Sequence, residues 1–530
     1  MGYYLNPGNE EFKRIIKSLY IDKTGLISII NSKLETKRNL ICVSRPRRFG
    51  KSYAAQMLCA YYDCTCDSHD LFAAYTIAND RDYETHLNNY NVIYLDITSF
   101  ISTINSTNSD ISTVVGDIQN AVVKELGASI DNLDLTETFT NIILQFVELT
   151  GKKIIFIIDE WDAIIREAKD NDEVQNAYLN LLRSLFKNGN FTSRAIAAAY
   201  ITGILPIKKD GTESAVSDFD EYTIINPGSF AEFTGFTEDD IDNICANSGK
   251  DISPNELKAW YDGYSLDGDR PIFNPYSVMQ AIERGKLESY WRKTTAAETL
   301  FTYINMDFKG LQEDIARLIS GETIPVDVYN FNNDVETFNS KDDVLTLLIH
   351  LGYLSYDSRE KTVHIPNKEV RTEFESLLKN ESKSRLTELV ARSEALFSNA
   401  LALDGEAVST AIDRIRCSEY APTFYNNEQA LRYVIKFAFI SCTDSYQKVE
   451  ELPSGKGVAD VVYIPRKSSP LPAMVIELKW NKTGEAALDQ IKNKNYPVEL
   501  LDYAGDVLLV GINYDEHTKR HECVIERVKM

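Results

Sequence analysis

Residues 39–52, NLICVSRPRRFGKS, constrain the fold more than any other stretch of this chain. The apolar run from Leu40 to Val43 reads as a buried strand. The polar turn after it closes on Gly50-Lys51-Ser52, and a helical pattern from Tyr53 to Tyr62 follows at once. Strand, turn and helix in that order suit a phosphate-binding loop. Backbone N–H groups and the positive helix end face an anion, a lysine reaches the outer phosphates, and a serine hydroxyl holds Mg²⁺. One position departs from the GxxxxGK[ST] pattern: Arg45 stands where the first glycine is expected. A solvated basic turn of Arg45, Arg47 and Arg48 with an accidental GKS is the competing reading; the preceding strand and an acidic partner downstream weigh against it. The residues expected to contact the cofactor, ATP, are therefore Arg47, Arg48, Phe49, Gly50, Lys51, Ser52 and Tyr53, with Ser52 also a Mg²⁺ ligand.

That partner begins with Lys153 to Ile158, KIIFII, a continuous apolar run of the kind found in strands buried on both faces. It delivers Asp159-Glu160 at its carboxyl end. Asp159 is assigned to the metal and cofactor, and Glu160 to the catalytic polarisation of the attacking water. Taken alone, the pair reads equally well as a strand end followed by an acidic helix cap; its coupling to Gly50-Lys51-Ser52 decides for the site. Asn91 to Ile97 is another strand signal, ending in Asp96, while the Ser/Thr/Asn-rich residues 102–118 read as a loop leading into a helix that ends near Leu126. A further strand, Ala195 to Ile201, ends at Thr202-Gly203, where Thr202 is either a sensor of the outer phosphate or a plain turn residue. Arg166, Arg183 and Arg194 each offer charge for the transferring phosphoryl group, and the sequence does not choose among them.

A chain of 530 residues has room for two to four domains. With 44% hydrophobic, 11% aromatic and 25% charged residues, its composition is that of a folded globular protein. Apolar runs are strand-sized, which predicts no transmembrane helix. The MGYYLNPGNEEFKR start lacks both a secretory pattern and the Ser/Thr of a myristoylation signal, so the expected location is cytoplasmic with no membrane partner. Eight unpatterned cysteines suit a reducing compartment, and Cys64, Cys66 and His69 lack the second ligand pair that zinc spacing requires. The net charge of −23 argues against wholesale coating of nucleic acid. From residue 381 onward, however, 19 Lys plus Arg face 22 Asp plus Glu, a balance of −3, so the front 380 residues carry −20. A DNA partner is permitted at the near-neutral end.

From Gly235 the character changes. Thr237-Glu238-Asp239-Asp240 reads as a helix start, and helices alternate with aromatic turns at Trp260 to Tyr264 and Phe273 to Tyr276, which read as packing between helices, with ligand binding as the alternative. Residues 341–377 read as helix (Lys341 to Leu351), strand-turn-strand and helix, a winged-helix-like order. Helices continue from Glu381 to Ala438, and a β-rich tail follows, with strands at Tyr446 to Glu450, Val458 to Tyr463, Met474 to Leu478 and Val507 to Ile512.

The tail carries a second constellation. Gly457-Val458-Ala459-Asp460 opens one strand and Val475 to Lys479 ends the next. Residues two apart in a strand share a face, so Glu477 and Lys479 project together with Leu478 turned inward. If the strands pair as a hairpin, Asp460 approaches both. Asp460 and Glu477 then suit Mg²⁺ or Mn²⁺, and Lys479 the attacking water of phosphodiester hydrolysis. Gln490, on a helix from Glu485 to Lys494, would orient the lysine, and Glu428 would add a metal-binding carboxylate. An exposed Asp with a surface Glu/Lys pair would show the same spacing.

The strings YIDKTG (20–25), SRPRRFGKS (44–52), IIDEWD (157–162), TGI (202–204), GFTEDDI (235–241), DGY (262–264), NPYSV (274–278), IPNKEV (365–370), GVADVV (457–462), IELK (476–479) and QIKNKNY (490–496) span nearly the whole chain. Together they resemble the bacterial AAA-ATPase-like family whose members carry a carboxy-terminal PD-(D/E)xK nuclease domain. The resemblance implies an arginine at the Arg45 position, an ATP site of Lys51, Ser52, Asp159 and Glu160, and a nuclease site of Asp460, Glu477 and Lys479. Ala459 departs from it, standing where the superfamily's name puts proline.

The resulting expectation is an α/β protein with three domains. Residues 1–235 form a P-loop AAA-like ATPase domain, 236–380 a helical and winged-helix-like domain, and 381–530 a restriction-endonuclease-like α/β nuclease domain. Function is expected to be ATP-dependent, metal-requiring cleavage of nucleic acid, with defence against foreign DNA as one use and a homo-oligomer permitted. The rival of a different class is a nucleotide-switched signalling or binding protein whose nuclease-like domain holds nucleic acid without cutting it.

Overall fold

The apolar runs of the front half assemble as strands of one parallel sheet. They are β1 (Leu40–Ser44), β2 (Asn91–Asp96), β3 (Ile154–Asp159) and β4 (Ile196–Gly203), joined by a short β5 (Asp220–Tyr222), in the order β2-β3-β4-β1-β5. The computed structural model describes residues 2–168, 171–207, 218–266, 270–291, 303, 304, 306, 308, 310–319, 321–329, 331, 338–380, 385–419, 431, 435, 446–454, 457–465, 471–493 and 506–529. These form two units, 1–300 with 325–371 and 301–324 with 372–530.

A parallel strand is covered by helices on both sides, which is why alternation is missing from these sequences. The two faces are nonetheless distinct. Leu40 and Cys42 of β1 and Ile154, Phe156 and Ile158 of β3 enter one core, while Ile41, Val43, Ile155 and Ile157 enter the other. The free edge of β2 is covered by the amino-terminal segment: Asn6 N–H donates to Val92 O and Tyr94 N–H to Tyr4 O, each at 2.8 Å. Glu125 holds that segment by accepting the N–H groups of Tyr3, Tyr4 and Leu5 at 2.9, 2.8 and 2.7 Å.

Residues 102–118 differ from the expected loop. Helices Ile97–Thr107 and Val114–Ser129 occupy most of that stretch. The Ser/Thr/Asn content suggested irregular chain, but Ile97, Phe100, Ile101 and Ile104 fall at helical spacing and are buried, leaving the polar residues outward. Asp22 of the YIDKTG string ties this front region together. Its carboxylate accepts from the backbone and hydroxyl of both Thr24 and Thr76, and the neighbouring Lys23 forms an ion pair with Asp240 at 2.5 Å.

Beyond residue 235, Thr237 and Asp240 form a reciprocal capping box at helix Glu238–Ser248, as the sequence indicates. Helix Lys341–Leu351 stops at Gly352, whose φ of 88° is the left-handed cap that glycine tolerates without strain. An antiparallel hairpin, Ser355–Asp357 with Thr362–His364, and helix Lys368–Asn380 follow. No helix among the described residues is long and apolar enough to cross a membrane.

His350, near the end of the helix before Gly352, is fully enclosed, and burial drags its imidazole down to about 3. The folded protein thus keeps it neutral while the unfolded chain takes up a proton below about pH 6.5. Its contribution is present above that pH and is lost as pH falls toward about 3. Denaturant melts should show about 2 kcal/mol of this loss between pH 7 and pH 5, and His350→Leu should lessen that dependence. Equal pH slopes for the two proteins would contradict the assignment.

The second unit contains a mixed sheet of β6 (Tyr446–Ser454), β7 (Gly457–Pro465), β8 (Ala473–Trp480), β9 (Asp506–Asp515) and β10 (Arg520–Lys529), hydrogen-bonded in that order. Only β8 and β9 are parallel; the other neighbours are antiparallel. The crossover between β8 and β9 carries helix Gly484–Asn493, which lies so close that a Cβ on Gly511 would meet Gly484 O at 2.3 Å.

Candidate active site at the carboxyl edge of the parallel sheet

Parallel strands bring their carboxyl ends to one edge, and here that edge collects the polar residues. Ser44 pairs with Gly203, Ile158 with Ile201, and Asp96 with Asp159. The loop after β1 runs into helix α1 (Lys51–Tyr62) through Gly50, whose φ is 85° and whose absent Cβ faces open space. Both properties suit close approach of an anion to the helix start.

Arg45 occupies the first-glycine position because its side chain leaves the loop. Buried to 1% exposure, its guanidinium donates to Ser44 O and Tyr222 O at 2.9 Å and to Phe230 O at 3.4 Å, anchoring β5 and the turn after it. Arg48 and Phe49, expected to contact the cofactor, also direct their side chains elsewhere. Arg48, at a φ of 70°, donates to Tyr290 O at 2.7 Å and lies 4.2 Å from the Tyr276 ring centre. Phe49 is buried edge-on against Tyr264. Packing against residues 264–290 of the same unit takes up these two side chains. Arg47 is half-buried and close enough to act on the Glu160 charge, and Tyr53 is exposed on α1.

Lys51 is 4% exposed, so its ammonium must find partners inside. It donates to Arg45 O and Pro46 O at 3.1 and 3.0 Å, and Glu160 Oε1 lies 3.4 Å away. Ser52 stands near Asp159, close enough for its hydroxyl to favour the charged carboxylate. Burial pushes the Asp159 carboxyl up to about 6; the Ser52 hydroxyl and the Lys51 charge pull against this, while Glu160 and Asp96 add to it. Burial also opposes ionisation of Glu160, but the charges of Lys51 and Arg166 outweigh it and hold that carboxyl below its ordinary value. Lys51, Ser52, Asp159 and Glu160, read from two separate motifs, are thus brought together. A buried carboxylate short of positive charge, next to a serine hydroxyl and an open helix start, is a donor set that fits Mg²⁺ on a polyphosphate.

Of the three candidate arginines, Arg166 is at the acidic pair. Its Nη2 donates to Glu160 Oε2 at 2.7 Å and its Nε to Asp162 Oδ2 at 3.1 Å. Arg183 bonds Asn180, and Arg194 pairs with Glu148 on an exposed surface. Asp162 was missed as a site residue. Its position two after the acidic pair gives no signal of its own, yet Oδ2 also accepts the N–H groups of Ile204 and Leu205 at 3.2 and 2.9 Å. Thr202 is fully buried and its hydroxyl has no hydrogen-bond partner among the described residues.

Gly203 sits under this turn. A Cβ there would lie 2.7 Å from Asp162 Oδ1 and 2.8 Å from Trp161 Nε1. Gly203→Ala should therefore cost about 1–3 kcal/mol of stability and lower ATP turnover as well, by displacing Asp162 from Arg166. Paired melting and turnover measurements check this; a variant matching wild type in both would show that the turn yields freely.

In the second unit, β7 and β8 pair as the hairpin the sequence suggests, with Val461 opposite Ile476. The pairing runs through Val462 and Val475 to Tyr463 and Met474; the side chain of Asp460, like all of Glu428, lies outside the described residues. Leu478 is buried, and Lys479 Nζ lies 3.5 Å from Glu477 Oε1 on the other face. Gln490 bonds Glu477 Oε1 itself, not the lysine that it was expected to orient. Glu477 is only 2% exposed. Among the described residues no group of three or more His, Cys, Asp or Glu is arranged to hold a metal ion; His69 pairs with Glu84 and Cys64 lies against Asn91.

Comparison with solved structures finds the Walker-type ATPase paby2304 of Pyrococcus abyssi (12% identity, 67% of this chain and 96% of that one, TM-score 0.34). It also finds the ORC2 protein of Aeropyrum pernix in its ADPNP–ADP complexes (11% identity, 68% and 96%, TM-score 0.34). A relative from Azotobacter chroococcum mcd 1, described as "Uncharacterized protein in vnfD 5'region", is 22% identical over 275 residues, 52% of this chain. The matched stretch spans half the length of that relative. Residues 7–212, which contain the phosphate loop, the acidic pair and β4, match the family model described as "Predicted AAA-ATPase", and this part of the chain is similar to that family.

Proposed function

We propose that residues 1–235 bind and hydrolyse ATP with Mg²⁺, and that nucleotide state there regulates metal-dependent cleavage of nucleic acid, DNA first, by residues 381–530. The observation that carries the ATP reading is the meeting of Lys51, Ser52, Asp159 and Glu160 at the ends of β1 and β3. When bound, Mg²⁺ would supply charge neutralisation between the outer phosphates. The chain's own contributions are then distinct. Lys51 neutralises the outer phosphates, Ser52 and Asp159 hold the ion and its water shell, Glu160 accepts from the attacking water, and the backbone at Gly50 comes close to the anion.

The nuclease part of the proposal is supported by Glu477 and Lys479 sharing a face, by Gln490 holding Glu477, and by the pairing of β7, which contains Asp460, with β8. In this reading Asp460, Glu477 and Glu428 bind Mg²⁺ or Mn²⁺, and Lys479 positions the water. One observation favours the rival reading, in which the domain binds nucleic acid without cutting. Glu477 is nearly inaccessible and already engaged by Gln490 and Lys479. Incubating the purified protein with DNA, ATP and either Mg²⁺ or Mn²⁺ separates the two. Metal-dependent cleavage supports the first reading; binding with no cleavage under either metal replaces it with the second.

A further inference from the structure

We propose that Arg166 is the positioning residue for Glu160, fixing one carboxylate oxygen so that transfer of Lys51 to a bound phosphate is what uncovers the other. This deepens the ATP-hydrolysis reading above and rests on it.

The basis is the division of the two Glu160 oxygens. Oε2 accepts from Arg166 at 2.7 Å, while Oε1 lies 3.4 Å from the Lys51 ammonium. The two cations are held differently. Arg166 is anchored a second time, through Nε to Asp162 Oδ2 at 3.1 Å, and that oxygen also receives the backbone N–H groups of Ile204 and Leu205. Its planar guanidinium is therefore built into the turn that leaves β4, with 14% of its side chain exposed. Lys51 ends a flexible four-carbon stem, and its remaining partners are two neutral carbonyls, those of Arg45 and Pro46.

A polyphosphate arriving at the loop offers Lys51 more negative charge than these partners do. The lysine then turns to it while the arginine stays. Oε1 loses its ion pair and becomes available to a water, and Oε2 keeps the carboxylate aimed from its fixed point. Glu160 sits at a φ of 51°, a backbone setting that a non-glycine residue keeps only when its surroundings hold it, and the Arg166 bond is part of that hold. Water activation is thereby tied to phosphate binding, because the same lysine serves both. Arg183 and Arg194, engaged with Asn180 and Glu148, have no part in it.

The test uses the full chain and compares R166Q, R166K and E160Q with wild type. Steady-state ATP hydrolysis is read alongside calorimetric binding of the non-hydrolysable analogue AMP-PNP with Mg²⁺. R166Q should lower kcat by roughly 10–100-fold with KM within about threefold, since it misplaces the carboxylate but leaves the phosphate contacts. R166K, whose ammonium reaches only one of the two carboxylates, should recover part of kcat. E160Q should not turn over but should bind the analogue at least about threefold tighter, because Lys51 no longer leaves an ion pair to reach the phosphate. Unchanged kcat in R166Q, or E160Q binding no tighter than wild type, overturns the proposal. If R166Q does not fold, R166K and E160Q decide it. Failure of wild type itself to bind or hydrolyse ATP removes the functional reading instead, so the two failures are told apart.

Discussion

Lys51→Ala is expected to lower kcat/KM for ATP hydrolysis by about 10²–10³-fold and to weaken nucleotide binding in the same measurement series. The expectation follows from where the ammonium sits. It is almost fully enclosed, and its three donors meet two loop carbonyls and Glu160, so it is held at the mouth of α1 before any ligand arrives. Removing it takes away the buried ammonium paired with Glu160 Oε1 and leaves that carboxylate its ion pair with Arg166. The fold should survive, because alanine suits the first turn of a helix whose other buried residues are apolar. A colorimetric phosphate assay with a parallel melting curve checks both halves. Hydrolysis at the wild-type rate in a folded Lys51→Ala protein would remove this loop from the catalytic site.

The other large effect concerns the second unit. Lys479→Ala should reduce DNA cleavage by about 10²–10³-fold while leaving ATP hydrolysis and folding intact, and chelation of the metal should abolish cleavage in wild type. Lys479 is the suitable target because its side chain is 19% exposed and its partners are Glu477 and the Leu478 carbonyl, whereas Glu477 is enclosed and bonded to Gln490. Cleavage persisting in Lys479→Ala would rule out the assigned residues. A double variant with Lys51→Ala adds the regulatory question. If nucleotide state governs cleavage, Lys51→Ala alone should already change the cleavage rate.

The strands were legible wherever burial on both faces left an unbroken apolar run, as at Leu40 to Val43 and Ile154 to Ile158. They were not legible where only one face is covered. β10, RHECVIERVK, mixes charged and apolar residues without a regular period on an edge beside β9, and β5 is the polar triplet Asp-Glu-Tyr, whose pairing to β1 is all that makes it a strand. The helix Ile97–Thr107 was hidden by its polar exterior, although its apolar spacing was present.

The site divides in the same way. Lys51, Ser52, Asp159 and Glu160 were named from motifs, since each motif fixes a residue's place at the end of a strand or the start of a helix, and such placement depends only on neighbours in the chain. Side-chain destinations do not. Arg45 reaches carbonyls 177 and 185 residues away, and Arg48 reaches one 242 residues away. Whether a loop arginine faces a phosphate or a distant backbone is set by what packs beside it.

By itself the sequence determined a strand-loop-helix anion site, an acidic pair at the end of another strand, and a Glu/Lys pair on one face of a third. Only the tertiary structure decided that β4 lies between β1 and β3, that Arg166 and not Arg183 or Arg194 meets Glu160, and that Asp162 locks that arginine to the turn after β4. The reason is range. Hydrophobic period and turn chemistry act over a few residues and are written locally, whereas ion pairs are selected by which strand ends the sheet order sets side by side.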